Sequence, residues 1–262
     1  MSTFKNYQKI FQPVEPHKNI LTQQSGILLY KIIDYNHFLD MLDYNYIYFS
    51  RVDKYKDIRD SDLPNKEREI YKYIKFENNP KVSLIDYYNS CRAKTYACCF
   101  SIKNSPYIWQ EYGGNNAKKV CLVFDSNSLI KYLNKIMCSA KIQYNNKIIS
   151  NFFYINYGLV KYGSLKEVID QKPLNPIRYT FFKDKKYNKD NEFRISLSCN
   201  GAPKYKINGS EFIFPKSIKL SSFNFKEVFY SEIIKRIEIS QDCDGIIQED
   251  LKLRHYSYIP VR

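Results

Sequence analysis

Tyr187-Asn188-Lys189-Asp190-Asn191-Glu192-Phe193-Arg194-Ile195-Ser196-Leu197 begins in a lysine-rich segment and ends as an alternating run. Read as a strand, its period of two puts Phe193, Ile195 and Leu197 on one face. Asp190, Glu192, Arg194 and Ser196 then share the other. Two acids and an arginine on one edge of an otherwise apolar strand have two readings. One is a solvated face with a cross-strand ion pair. The other is a functional site.

The chain around this stretch has 262 residues, enough for a substantial core in one large domain or two small ones. Its 44% hydrophobic and 26% charged residues are those of a globular protein. Neither GxGxxG nor GxxxxGK[ST] occurs, which argues against a Rossmann or P-loop site. The formal charge of +14 invites a nucleic-acid reading, but the lysines are dispersed. Their densest cluster is Lys183, Lys185, Lys186 and Lys189. Such a field favours an anionic ligand or polymer without specifying one. The 7 cysteines are odd in number and lack CxxC spacing, and the start of the chain is polar. His17, His37 and His255 lie far apart. The expectation is a cytoplasmic protein with buried thiols, no metal and no membrane contact.

Residues 1–25 read as a polar arm with Pro13 and Pro16, and residues 26–262 as a single α+β domain. Gly26 to Ile33 is a buried strand interrupted by Lys31, a lysine that needs a partner or a ligand. Asp34 caps a helix reaching Leu42, and Tyr46 to Ser50 is a second strand. The loop from Arg51 to Asp62 holds Asp53, Asp57, Asp60 and Asp62. Helices are expected at Glu67–Phe76 and Val82–Ala93, and strands at Lys94–Ser101 and Lys119–Asp125. A helix then starts at a Ser126 or Asn127 cap. Ile148 to Tyr162 reads as two strands around Asn156-Tyr157-Gly158. Phe212–Leu220 and Ile233–Ile239 are late strands, with a short helix at Phe225–Tyr230 between them. Many strands stand too close in sequence for helical crossovers, so the sheet is mixed or antiparallel.

Seven blocks recur in a familiar order: Leu28-Leu29-Tyr30-Lys31, Tyr48-Phe49-Ser50, Tyr55 to Asp60, Cys99-Phe100-Ser101, Trp109-Gln110-Glu111-Tyr112, Val120 to Asp125, and Tyr187 to Arg194. Together they resemble a widespread bacterial domain family, a domain of unknown function, with the pattern LYKy…fnDPfD…cFs…mW.hY…E.E.R. The chain departs from it at Ile58 for proline, Glu111 for histidine, Tyr187 for tryptophan and Asp190 for glutamate. The plan is in turn similar to that of ADP-ribosyltransferases, which carry a basic residue on an early strand, a serine on a middle strand and an acid pair late. The matching positions are Tyr30-Lys31, Phe100-Ser101 and Asp190-Asn191-Glu192.

That resemblance implies a mostly antiparallel sheet split into two packed halves with flanking helices. It also implies an NAD-consuming transferase or NAD glycohydrolase, in the setting of a bacterial toxin or phage-defence effector. Glu192 would stabilise the positively charged ribose, and Asp190 would orient or deprotonate a nucleic-acid or protein acceptor. Tyr30, Lys31, Ser101, Trp109, Tyr112 and Arg194 would hold NAD, with no metal. Structural readings stand beside these: Trp109 in the core, Lys31 paired with Asp57 or Asp60, Ser101 in a turn. Asp57 and Asp60 either shape their loop or hold a cation. Two further functions stay open. One is a non-catalytic nucleic-acid-binding module; the other is a nuclease whose Asp57, Asp60, Asp190 and Glu192 converge on a metal.

Overall fold

The computed structural model describes residues 12–13, 26–57, 59–63, 65–77, 79–136, 139, 141–144, 147–150, 153–163, 176–199, 206–207 and 210–262. The expected polar arm lies outside them except for Gln12–Pro13, as do His17 and Cys138. In chain order the strands are β1 (Gln12–Pro13), β2 (Leu28–Asp34), β3 (Tyr46–Arg51), β4 (Lys75–Phe76), β5 (Asn79–Ser83), β6 (Thr95–Ser101), β7 (Lys119–Asp125), β8 (Lys141–Tyr144) and β9 (Lys147–Ser150). They continue with β10 (Tyr154–Leu159), β11 (Lys161–Gly163), β12 (Phe182–Asp184), β13 (Glu192–Ser198), β14 (Lys206–Ile207), β15 (Ser210–Glu211), β16 (Ser217–Ser221) and β17 (Ile234–Ile239).

The stretch that opened the sequence supplies the centre of the sheet. β13 pairs antiparallel with β10 on one side and with β6 on the other. Beyond β6 the sheet forks: β3 pairs with Tyr96 and Ala97, and β2 meets Ser101. One branch continues through β16, β8 and β9, the other through β7 and β17. Within this 11-stranded sheet only β1 runs parallel to its neighbour, β10. The expected α+β domain with a mostly antiparallel sheet and flanking helices is therefore present. The fork opens beside Lys31 and Ser101, and the groove described below lies there.

The core side of β13 is Phe193, Ile195 and Leu197, level with Phe100, Cys98 and Tyr96 of β6. Edge-to-face contacts extend it, with Phe100 5.6 Å from Phe124 and Tyr96 5.5 Å from Phe153. Helices Tyr35–Tyr44, Ser126–Ile136 and Ile246–Leu253 close it with Phe38, Met41, Leu129, Leu133, Ile247 and Leu251. Each such side chain contributes about 1.5–3 kcal/mol by leaving water. A second apolar cluster of Leu63, Leu84, Ile85, Tyr88 and Tyr179 braces the segment that follows the Asp60 loop.

Local chemistry sets the boundaries. Asp34 caps its helix as expected, accepting the Asn36 and His37 amides at 2.9 and 3.2 Å. The Ser126–Ile136 helix is instead capped by Asp125, which accepts the Ser128 amide at 2.8 Å. Ser126 turns away and accepts the Ile27 amide. The helices expected at 67–76 and 82–93 are shorter, Asn65–Tyr71 and Leu84–Arg92, because β4 and β5 form a hairpin between them. The break expected at Asn156-Tyr157-Gly158 does not occur: β10 runs straight through it, held by β13 on one edge and β1 on the other. The late strand starts at Ser217 rather than Phe212.

Candidate active site

All seven residues of β13 are buried, so the face opposite the core is not solvated. It carries a closed network of charges. Arg194, 1% exposed, donates Nη1 and Nη2 to the two oxygens of Asp60, both at 2.7 Å. The same guanidinium bonds Glu192 through Nε and Nη2, and reaches Ser61 Oγ and the Thr180 carbonyl. Lys183, on β12, lies 2.6 Å from Asp190, 3.2 Å from Glu192 and 3.6 Å from Asp60. Arg194 has room for this because its strand partners are Gly158 and Cys99.

Asp190 is not on the strand. It ends a 3-10 turn, Lys185–Asp190, and Asn191 follows in the left-handed region at φ 45°. That residue breaks the alternation, yet Lys183 and Tyr107 still fasten Asp190 beside Glu192. Burial by itself would raise the Glu192 carboxyl; Arg194 and then Lys183 outweigh it and hold it at about 2. Glu192 is accordingly ionised across the neutral range. At formal charge, three carboxylates face two cations, which leaves one negative charge uncompensated in a water-poor floor.

Above this floor is a groove of two joined parts. The larger, about 610 Å³, is lined by Tyr55, Lys56, Asp57, Tyr107, Glu111 and Tyr187 over the charge network. The smaller, about 90 Å³, lies in the fork of the sheet between Tyr30, Lys31, Ile32, Phe100, Ser101 and Ile108. Cys99, Tyr112, Asp190 and Glu192 line both and so form the junction. Five acids and three bases line the larger part, on a chain whose overall charge is +14. Burial, then Glu192 and Asp190, push the Tyr112 hydroxyl far above the ordinary tyrosine range, so it is a donor. Burial likewise raises the Cys99 thiol strongly, which removes it as a thiolate nucleophile.

The wall bearing Tyr107, Ile108 and Tyr112 is a short helix, Pro106–Glu111, finished by a lysine. Buried Lys119 donates to the carbonyls of Trp109 at 2.6 Å and Tyr112 at 2.8 Å. A cation at a helix C-terminus satisfies carbonyls that the helix leaves open. Lys119→Met is expected to destabilise the fold by roughly 2–3 kcal/mol in urea titration and to weaken any ligand that contacts Tyr112. Stability unchanged within about 0.5 kcal/mol would mean the lysine is dispensable there.

Six of the eight residues expected at an NAD site, Tyr30, Lys31, Ser101, Tyr112, Asp190 and Glu192, thus line the smaller part, and Arg194 lines the larger. Trp109 lines neither; its indole N–H donates to Asn104 Oδ1. Lys31 pairs with neither Asp57 nor Asp60. Its ammonium donates to the Cys99 carbonyl at 3.1 Å and stands 5.4 Å from the Phe100 ring. The Ser101 hydroxyl lies 2.8 Å from the Asp190 carbonyl and accepts the Lys103 amide, so it ties the turn to the sheet. Asp57 shapes its loop by accepting the Arg59 amide, whereas both oxygens of Asp60 are taken up by the Arg194 guanidinium. Sequence reading overlooked Lys183 as a site residue. The argument made for Lys31 applies equally to it, because Phe181-Phe182-Lys183 is also a lysine against an apolar run.

No helix among the described residues is long and apolar enough to cross a membrane. No curated protein and no solved structure matches the chain. The resemblance to a domain family of unknown function holds over part of the chain: residues 108–195, which carry Tyr112, Lys183, Asp190, Glu192 and Arg194 of the groove, match the model of a family described as Protein of unknown function (DUF2971).

Proposed function

We infer that the groove is an NAD site and that the chain is an ADP-ribosyltransferase-like enzyme, or a glycohydrolase where water is the acceptor. The observation that carries this reading is an ionised Glu192 at the junction of the two parts of a net-acidic, tyrosine-walled groove. NAD enters with a positive pyridinium. When the bond between nicotinamide and ribose breaks, its electron pair leaves with nicotinamide and the ribose takes up positive charge. A floor with one uncompensated negative charge favours that state over a neutral or anionic one, and the more so where water is scarce.

Glu192 faces the ribose in this reading. Asp190, held by Lys183 and Tyr107, takes the proton of the acceptor as the new bond forms. Tyr112 donates a hydrogen bond, and Lys31, which has no ion pair among the described residues, meets the diphosphate as a point charge. Tyr112 and Tyr107, which line the groove where Trp109 does not, supply the rings that stack on nicotinamide or adenine. The metal-dependent alternative has less support. Asp60, Asp190 and Glu192 do converge, but on Lys183 and Arg194, whose charges stand where a cation would.

The test is nicotinamide release from NAD by the purified chain, with water, nucleic acid or cell extract as acceptor. Release is expected from the wild type, with a loss of about 100-fold or more in Glu192→Gln and a smaller loss in Tyr112→Phe. Circular dichroism confirms that each variant is folded. Intact NAD under every condition, or equal release by wild type and Glu192→Gln, would sink the proposal.

A further inference from the structure

The densest lysine cluster of the sequence is only partly used by the charge network. Lys183 points into the floor, but Lys185, Lys186 and Lys189 are exposed on the turn that links β12 to β13. Tyr187, on the same turn, lines the groove. The loop whose Asp57 lies against Tyr187 carries exposed Lys56, which also lines the groove, and Arg59 follows it, also exposed. Among the described residues none of these five cations forms a salt bridge. Exposed lysines elsewhere are of both kinds: Lys72, Lys135 and Lys235 are paired with glutamates, whereas Lys131, Lys226 and Lys252 form no salt bridge among the described residues, so what sets the rim apart is the crowding of such cations beside one groove. The groove is therefore acidic in its floor and carries unpaired positive charge at its rim.

We propose that this rim docks a single-stranded nucleic acid, with phosphates on the Lys185–Asp190 turn and Lys56, and an unstacked base directed at the groove tyrosines. Phosphate oxygens over the larger part are repelled by the Asp190–Glu192 floor, which holds no cation free of that network as Lys31 is in the smaller part, and are attracted by the rim, so the backbone stays outside while a neutral base enters. Tyr107 lines the entrance and offers a ring to stack on, which is how single strands are held without sequence readout, whereas the Tyr187 ring is already engaged by Lys183 and Lys186, each 4.8 Å from its centroid. A base can reach the groove tyrosines only when it is unpaired and unstacked, which selects a single strand over a duplex. An acidic protein would find the same cations but gain nothing from the tyrosine wall. This inference does not depend on NAD chemistry.

The experiment is fluorescence anisotropy of a labelled single-stranded oligonucleotide with the full chain, without NAD, across a salt series. Lys185→Gln/Lys186→Gln/Lys189→Gln is compared with Lys131→Gln/Lys226→Gln/Lys252→Gln, which removes the same charge from exposed positions elsewhere. The rim variant is expected to bind about tenfold or more weakly at low salt, with the slope of log affinity against log salt reduced by about 2. The control variant is expected to change less than about threefold. Tyr107→Ala is expected to lose about fivefold or more, and Tyr107→Phe to retain affinity. Equal losses in the two triple variants would reduce the effect to net charge and overturn the proposal. So would a duplex bound as tightly as the single strand, binding of poly-glutamate in place of the oligonucleotide, or no binding at all. Since nicotinamide is not read, failure here and failure of the NAD reading are separate results.

Discussion

Arg194→Met is expected to destabilise the protein by about 3–5 kcal/mol and to lower its melting temperature by roughly 10 °C. The size follows from what remains. Asp60, Asp190 and Glu192 would be left in a buried floor with Lys183 as the one cation in contact with all three. A domain of ordinary stability has about 5–15 kcal/mol in total, so this single change removes a large share of it. Asp60→Asn should cost less, because Arg194 retains Glu192, Ser61 and the Thr180 carbonyl. The combination of the two should cost less than their sum, by about 1–3 kcal/mol, since each removes the partner that the other strands. Urea denaturation at neutral pH reads all three. Strict additivity, or an Arg194→Met penalty under about 1 kcal/mol, would show that the network is solvated rather than closed.

The same network limits what the proposed chemistry can ask of Glu192. Both of its oxygens bond to Arg194, and one also meets Lys183, so it stays charged but is not free to swing. Its contribution to a developing positive charge is therefore electrostatic and preorganised. Rigid placement also explains why the loop from Arg51 to Leu63 can line a groove without a strand or long helix of its own. Asp60 anchors that loop to β13 across 134 residues of sequence.

Much of this site could be read from the chain, and the failures have particular causes. Alternation along Glu192 to Leu197 assigned each side chain to the correct face. It could not tell a solvated polar face from a buried one, because that depends on Asp60 and Lys183 arriving from elsewhere. Period two continues through Asp190 on paper and puts it on the strand, but Asn191 in the left-handed region ends the alternation, and nothing in the residue order announces that φ. Asn156-Tyr157-Gly158 has the composition of a turn, but pairing on both edges overrides local preference, and Gly158 is spent on accommodating Arg194. Trp109 was assigned to the site as a large aromatic in the right block. Helical geometry gives that place to Ile108 and Tyr112, which are four residues apart and share a face.

The pH dependence of stability should have two limbs with different owners. On the acid side, Glu192 sits at about 2 in the fold against 4.5 for the free side chain. A depressed carboxyl contributes stability that is present above the unfolded value and lost as pH falls through the folded one, so the loss is expected between about pH 4.5 and 2, on the order of a few kcal/mol. Glu67 acts in the opposite sense. Burial raises it although Tyr179 donates to it, so its contribution is full below the unfolded value of 4.5 and is lost as pH rises from there through its folded value. Glu67→Gln should therefore raise stability near neutrality and leave the Glu192 limb in place. On the alkaline side the tyrosines dominate. Burial raises Tyr35, Tyr46, Tyr88, Tyr112 and Tyr179, in several cases with a neighbouring carboxylate adding to it. Each contributes stability that is complete below the ordinary tyrosine value of about 10 and lost as pH rises through the folded value. Because many act together, unfolding should be steep above about pH 10, and the last part of the tyrosinate absorbance, that of these buried hydroxyls, should rise in step with loss of the fold. Full tyrosinate absorbance reached well before unfolding would mean that these hydroxyls reach solvent in the native state, and the packing around them, Tyr112 at the groove included, would have to be redrawn.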